Sequence, residues 1–246
     1  MKSDNVQVKY TTAASFKYFC TRHTPLESIS SLVQTLFELV HDKDYLVQKA
    51  ALSSLNTVVY NIPRTTHYIT KEFLESLASA CQFKPELVKE YELGPFKHKQ
   101  DEGLPLRNAA FSFIDLALEF LYDKVEITYI VEQIEKGIED PSDDIQIIAY
   151  QILTKLASLL PLALVSHLDR LTDKFEIAFN KVLKALGSKQ EGERAHDCLR
   201  AFLRAILTIC KIPEAEDVGR FKELCNVKII NNEKCKEFIQ QLNAAQ

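Results

Sequence analysis

Along much of this chain apolar residues recur at spacings of three and four, the pattern of helices that bury one face. In three segments the pattern is sharper, with an apolar residue, an alanine four positions on and another apolar residue eight positions on. These are Val47, Ala51 and Leu55; Leu106, Ala110 and Ile114; and Ile145, Ala149 and Leu153. A weaker copy runs Val8, Thr12, Phe16, so successive copies start 39, 59 and 39 residues apart. A period near 39 belongs to stacked helix pairs, which grow by repetition rather than around one core. The overlong middle interval coincides with residues 84–103, KPELVKEYELGPFKHKQDEG, which read as an insertion between two helices.

The periodicity predicts helices over 7–20, 24–40, 44–61, 69–83, 104–121, 127–138, 143–160, 161–186 with a break near Leu168, and 193–210, with two short ones at 218–225 and 233–242. Thr24, Pro25, Leu26 and Glu27 have the makings of a capping box, with proline in the first turn. Residues 187–192 read as a polar linker. Within the insertion, Leu87, Lys89, Tyr91 and Leu93 alternate with Val88, Glu90 and Glu92, a period of two. Gly94-Pro95 is a turn dipeptide, and Phe96 to Lys99 can return as a second strand. The expectation is therefore an all-α solenoid of about five helix pairs over residues 1–246, a single repeat segment with one inserted β-hairpin at 84–103. An isolated two-stranded hairpin is marginal in water, so it either leans on neighbouring helices or becomes ordered against a partner. The plainer alternative is a surface loop that packs on its own repeat.

Composition adds limits. Six glycines, eight prolines and 46% hydrophobic residues describe a folded chain with ample interior. No apolar run reaches membrane-spanning length, and MKSDNVQVKY lacks the layout of a signal peptide. The six cysteines, Cys20, Cys81, Cys198, Cys210, Cys225 and Cys235, show no short paired spacing and read as free thiols of the cytoplasm or nucleus. With His196 they lack the knuckle spacing of structural zinc, so no metal site is expected. A net charge of −4 argues against general affinity for nucleic acid or anionic membrane. No phosphate-binding loop, nucleophile elbow or zinc-protease helix occurs, and no cofactor or catalytic residue is expected. Asp143-Asp144 and Asp101-Glu102 read as helix-start carboxylates favoured by the helix dipole, and His98 as a surface contact.

The run Tyr91-Glu92-Leu93-Gly94-Pro95-Phe96-Lys97-His98, then Asp101-Glu102-Gly103-Leu104, Arg107 and Ala109-Ala110-Phe111, resembles a signature of the cullin-associated, neddylation-dissociated proteins, whose C-terminal part is also called the TATA-binding-protein-interacting domain. The resemblance continues through Ser166 to Leu171 and Ile212 to Glu216. It implies a HEAT-type α-solenoid that holds the N-terminal region of a cullin, with a β-hairpin occupying part of the adaptor's site. It also implies a non-enzymatic exchange factor for cullin-RING ubiquitin ligases. Carried residue by residue, the partner-binding role falls on Tyr91, Leu93, Gly94, Pro95, Phe96, Lys97 and His98. The family's proteins have many more repeats, so an N-terminal solenoid half is expected, either as a missing part or as a separate chain. Masking of the neddylation lysine is not ascribed to these residues. Two other readings stand beside this one: a generic HEAT adaptor, which would bind through its helices rather than the insertion, and a transcription regulator contacting the TATA-binding protein.

Overall fold

The computed structural model of the chain describes residues 5–93, 96–121, 125–186 and 192–244. Their contacts divide the chain into two compact units, Met1–Leu121 and Tyr122–Gln246.

The first unit holds α1 (Val6–Phe16), α2 (Leu26–Leu39), α3 (Tyr45–Asn61), α4 (Lys71–Ala80), a hairpin of β1 (Val88–Leu93) and β2 (Phe96–Asp101), and α5 (Leu104–Leu121). α3 is its central helix and packs on α1, α2 and α5. The reason is the pattern that marked it: Val47, Ala51 and Leu55 lie on one face, all fully buried, and the alanine lets a neighbouring backbone approach. Polar side chains on α3 tie the helices together, Ser54 donating to the Ala13 carbonyl, Asn56 to that of Ala109 and Asn61 to that of Cys20. Phe73 of α4 sits edge-on to Phe37 of α2 and Phe113 of α5, with ring centroids 4.8 and 5.2 Å away.

The second unit contains α6 (Ile127–Ile138), α7 (Asp143–Leu159), α8 (Pro161–Val165), α9 (Leu168–Ala185), α10 (Gly192–Ile209), α11 (Gly219–Glu223), a π-helical stretch at Leu224–Ile230 and α12 (Glu233–Ala244). Here α7 is central, packed on α6 and α10. Phe202 of α10 is buried among the rings of Tyr150, Phe175 and Phe179. Arg170 of α9 grips the Glu135 carboxylate of α6 with two hydrogen bonds.

A polar repeat underlies the apolar one. The backbone amides of Asp44 and Ser142 donate to the carboxylates of Asp42 and Asp140, and six residues beyond each aspartate Gln48 and Gln146 donate back to the aspartate carbonyl at 2.6 Å. Asp101 repeats the turn before α5 by accepting from the Gly103 amide, but Arg107 stands six residues on and pairs with its carboxylate instead. The three aspartates keep the 59- and 39-residue spacing of the apolar copies.

Several expectations need correction. α1 stops at Phe16, and of its apolar copy Phe16 is buried whereas Val8 is 47% exposed. No capping box opens α2: the helix begins at Leu26 without a side-chain cap, because the Thr24 hydroxyl is engaged with the Thr21 amide and the Phe19 carbonyl. The predicted helix over 69–83 is shorter, with a 3₁₀ turn at Pro63–Tyr68 in front of it and Thr70 capping α4. Most of the polar linker lies outside the described residues.

Candidate functional site

The insertion is an antiparallel hairpin with Val88 opposite Asp101, Lys89 opposite Gln100, Glu90 opposite Lys99, Tyr91 opposite His98, Glu92 opposite Lys97 and Leu93 opposite Phe96. Strand alternation separates two faces. On one, Lys89 and Tyr91 point toward the base of the hairpin, where both reach Glu102. On the other, acidic β1 residues meet basic β2 residues, and Lys99 pairs with Glu90 at 3.3 Å. Every described side chain from Lys89 to Gln100 is exposed. Of the expected partner-binding residues, Tyr91 and Lys97 are therefore on the surface, while Gly94, Pro95 and the side chains of Leu93, Phe96 and His98 lie outside the described residues.

The base is built very differently from the exposed strands. Arg107 on the first turn of α5 is 1% exposed and donates from Nη2 to Asp101 Oδ2 at 2.7 Å and from Nη1 to Oδ1 at 3.3 Å. Its guanidinium lies over the Phe83 ring, 5.1 Å from the centroid. Asp101 Oδ1 also accepts from the amides of Gly103 and Leu104, which opens α5. Space at Gly103 is tight: a Cβ there would stand 3.0 Å from Leu87 Cδ1 and 3.3 Å from both Arg107 Nη1 and Asp101 Oδ1. The Glu102 amide donates to the Leu87 carbonyl at 3.0 Å and closes the two ends of the insertion on each other.

Glu102 is not a helix-start carboxylate. It accepts from Lys89 Nζ at 2.7 Å, from the Tyr91 hydroxyl at 2.9 Å and, at 3.4 Å, from the hydroxyl of Tyr45 at the start of α3. The bonds from Lys89 and then Tyr91 hold its carboxyl below the usual glutamate value, and the same contacts raise the Lys89 ammonium and the Tyr91 phenol. Tyr91 is thus both half-exposed and a strut of the base, a role that the alternation of the strand did not suggest. Neither Asp101, Glu102, Gly103 nor Arg107 stood among the expected site residues; the signal for them is the aspartate-plus-six repeat, in which arginine replaces glutamine only here.

Further parts of the signature resolve into core and ties. Leu168 and Leu171 are fully buried, Arg170 grips Glu135, and Ile212 and Ala215 anchor the 3₁₀ turn at Pro213–Asp217. Five cysteines are buried and Cys210 is half-buried. Among the described residues no helix is long and apolar enough to cross a membrane.

Helix pairs in regular repetition, with a hairpin mounted between two of them, define an all-α HEAT-type α-solenoid. A crystal structure of an engineered protein shares the fold with a TM-score of 0.53 at 16% identity, over 98% of this chain and 90% of that one; a second engineered protein does so with a TM-score of 0.50 at 14% identity, over 98% and 92%. The family model for TIP120, TATA-binding protein interacting (TIP20), matches residues 66–243, and the chain belongs to that family. Relatives include cullin-associated NEDD8-dissociated protein 1 of Dictyostelium discoideum, 28% identical over 225 residues, covering 91% of this chain and 18% of that protein. The protein of the same name from Arabidopsis thaliana is 32% identical over 199 residues, 80% of this chain and 16% of its own length. The C-terminal part of its counterpart in Emericella nidulans is 32% identical over 189 residues, 76% and 18% respectively. The chain thus spans less than a fifth of the length of these relatives.

Proposed function

We propose that residues 1–246 act as a single HEAT-repeat segment that holds the N-terminal region of a cullin and, through the hairpin, competes with the adaptor that binds there. In this reading the chain is the C-terminal part of a substrate-receptor exchange factor for cullin-RING ubiquitin ligases. It works without catalysis in cytoplasm and nucleus, and the remaining repeats belong to the same polypeptide or to a partner chain. One observation carries the proposal: an exposed hairpin fixed by a buried ion pair, within the stretch that the family model matches. The relatives named for cullin association support it. So does the chemistry of the hairpin, because Leu93, Phe96 and the neighbouring Lys97 and Lys99 suit an apolar groove with an acidic rim. A scaffold that presents such a tip with its base already ordered loses less entropy on binding.

The test is a titration of a labelled cullin N-terminal region with this chain, intact and with residues 88–100 deleted. Loss of binding on deletion is expected; intact binding would point instead to a generic adaptor that uses its helices. The family's name, TATA-binding protein interacting, favours a second reading, contact with the TATA-binding protein. The same two chains titrated against that protein separate the readings, since hairpin-dependent binding there, with none to the cullin, would replace the first.

A further inference from the structure

Cys210 follows the last turn of α10, its amide donating to the Ile206 carbonyl, and Cys225 lies in the π-helical stretch 15 residues later. No short spacing announces them as a pair, yet the fold brings their sulfurs to 3.3 Å, one thiol hydrogen-bonded to the other. The wider π turn matters here, because such local widening of a helix is frequent at functional sites. A cavity of about 250 Å³ opens beside the pair, lined by Phe221, Ala215 and Ile230 with Lys222 and Glu216, which pair with each other at 3.6 Å. It is large enough for a small hydroperoxide. Of the six thiols, Cys210 alone is half-buried; Cys20, Cys81, Cys198, Cys225 and Cys235 are buried.

We propose that Cys210 and Cys225 are a modification site for hydroperoxides, at which Cys210 is oxidised and Cys225 closes an intramolecular disulfide. The Cys210 thiolate attacks the distal oxygen of the peroxide; the O–O bond breaks, Cys210 becomes a sulfenic acid, and the leaving alkoxide or hydroxide takes a proton. The Cys225 sulfur then attacks the Cys210 sulfur. The S–S bond forms as the S–O bond breaks, and water leaves with the Cys225 proton. Two thiols have lost two electrons and the peroxide has gained them. The sulfurs need approach by little more than 1 Å to reach disulfide bonding distance. The division of labour agrees with the local electrostatics: the contact between the two sulfurs lowers the Cys210 thiol against the opposing effect of burial, while the same contact and burial raise the Cys225 thiol. Elsewhere burial pushes Cys198 up to about 12 and Cys235 to about 11, so those thiols are poor nucleophiles. Thiol reductants reverse the bond by exchange, as a transient disulfide in a reducing compartment requires.

The experiment uses the reduced full chain, near-stoichiometric hydrogen peroxide, and alkylation under denaturing conditions followed by peptide mapping without reduction. The expected result is a fall from six alkylatable thiols to four, a cross-link joining Cys210 to Cys225, and recovery of all six after dithiothreitol. Cys225→Ser should leave a sulfenic acid at Cys210 that dimedone captures, and Cys210→Ser should show neither adduct nor cross-link, with circular dichroism confirming that both variants fold. A chain that keeps six thiols, or cross-links another pair first, would overturn the proposal.

Discussion

Replacing Arg107 by alanine removes the guanidinium that holds the base of the hairpin to α5. The group is 1% exposed, makes two hydrogen bonds to Asp101 and stacks on Phe83, so the substitution strands a carboxylate beside an apolar gap. Removing one partner of a buried pair costs about 3–5 kcal/mol. Asp101 keeps the amides of Gly103 and Leu104, and its side chain is 20% exposed, which places the expected loss at the lower end, about 3 kcal/mol. With a urea dependence of about 2 kcal/mol per molar, the unfolding midpoint of the first unit should fall by about 1.5 M. Circular dichroism against urea measures this, and amide exchange of Glu102, whose N–H bonds to Leu87, reports whether the base has opened. Arg107→Lys keeps the charge without the fork and should recover only part of the loss. If Arg107→Ala stays within about 0.5 kcal/mol of the parent chain, the range of ordinary surface changes, the pair does not hold the hairpin and the reasoning fails.

Three other outcomes follow from the same base and its place in the chain. Gly103→Ala forces a Cβ against Leu87, Arg107 and Asp101 and should cost about 1–2 kcal/mol, as overpacking of a filled site does, read from the same urea curves. Because Glu102 is held below its ordinary value in the folded chain, its contribution is present at neutral pH and is lost as pH falls through that lowered value. Protection of the β1 amides, taken relative to their intrinsic exchange rates, should therefore fall as pH drops through that lowered value, and Glu102→Gln should be loose at neutral pH and lose most of this dependence; equal pH profiles for the two chains would refute the assignment. Finally, since the chain is under a fifth of the length of its relatives, it should bind a cullin more weakly than a full-length relative in parallel titrations.

The main helices were legible where the apolar stripe was complete. α5 and α6 run over the predicted residues because Leu106, Ala110 and Ile114, and the 127–138 stretch, show one strongly periodic face with clear breaks at both ends. The hairpin was legible from period-two alternation around a turn dipeptide. What escaped was chemistry that joins residues distant in sequence or competes locally. Thr24 prefers the Thr21 and Phe19 backbone to the end of α2. Glu102 resembles a helix-start residue until Lys89 and Tyr91 fold back onto it, and Cys210 and Cys225, 15 residues apart, meet only in the folded chain. Arg107 was visible as part of a signature, but its burial beneath the hairpin depends on Phe83, Asp101 and Gly103 arriving together.

Competition of the hairpin tip with an adaptor for a cullin is the proposed role. It is tested most directly by titrating this chain into an isolated cullin N-terminal region, with and without saturating adaptor, alongside Phe96→Ala. Adaptor should weaken binding of the parent chain. Phe96→Ala should weaken binding without adaptor by about tenfold or more, a hot-spot loss of at least about 1.4 kcal/mol. Binding that is indifferent to both adaptor and Phe96 would contradict it.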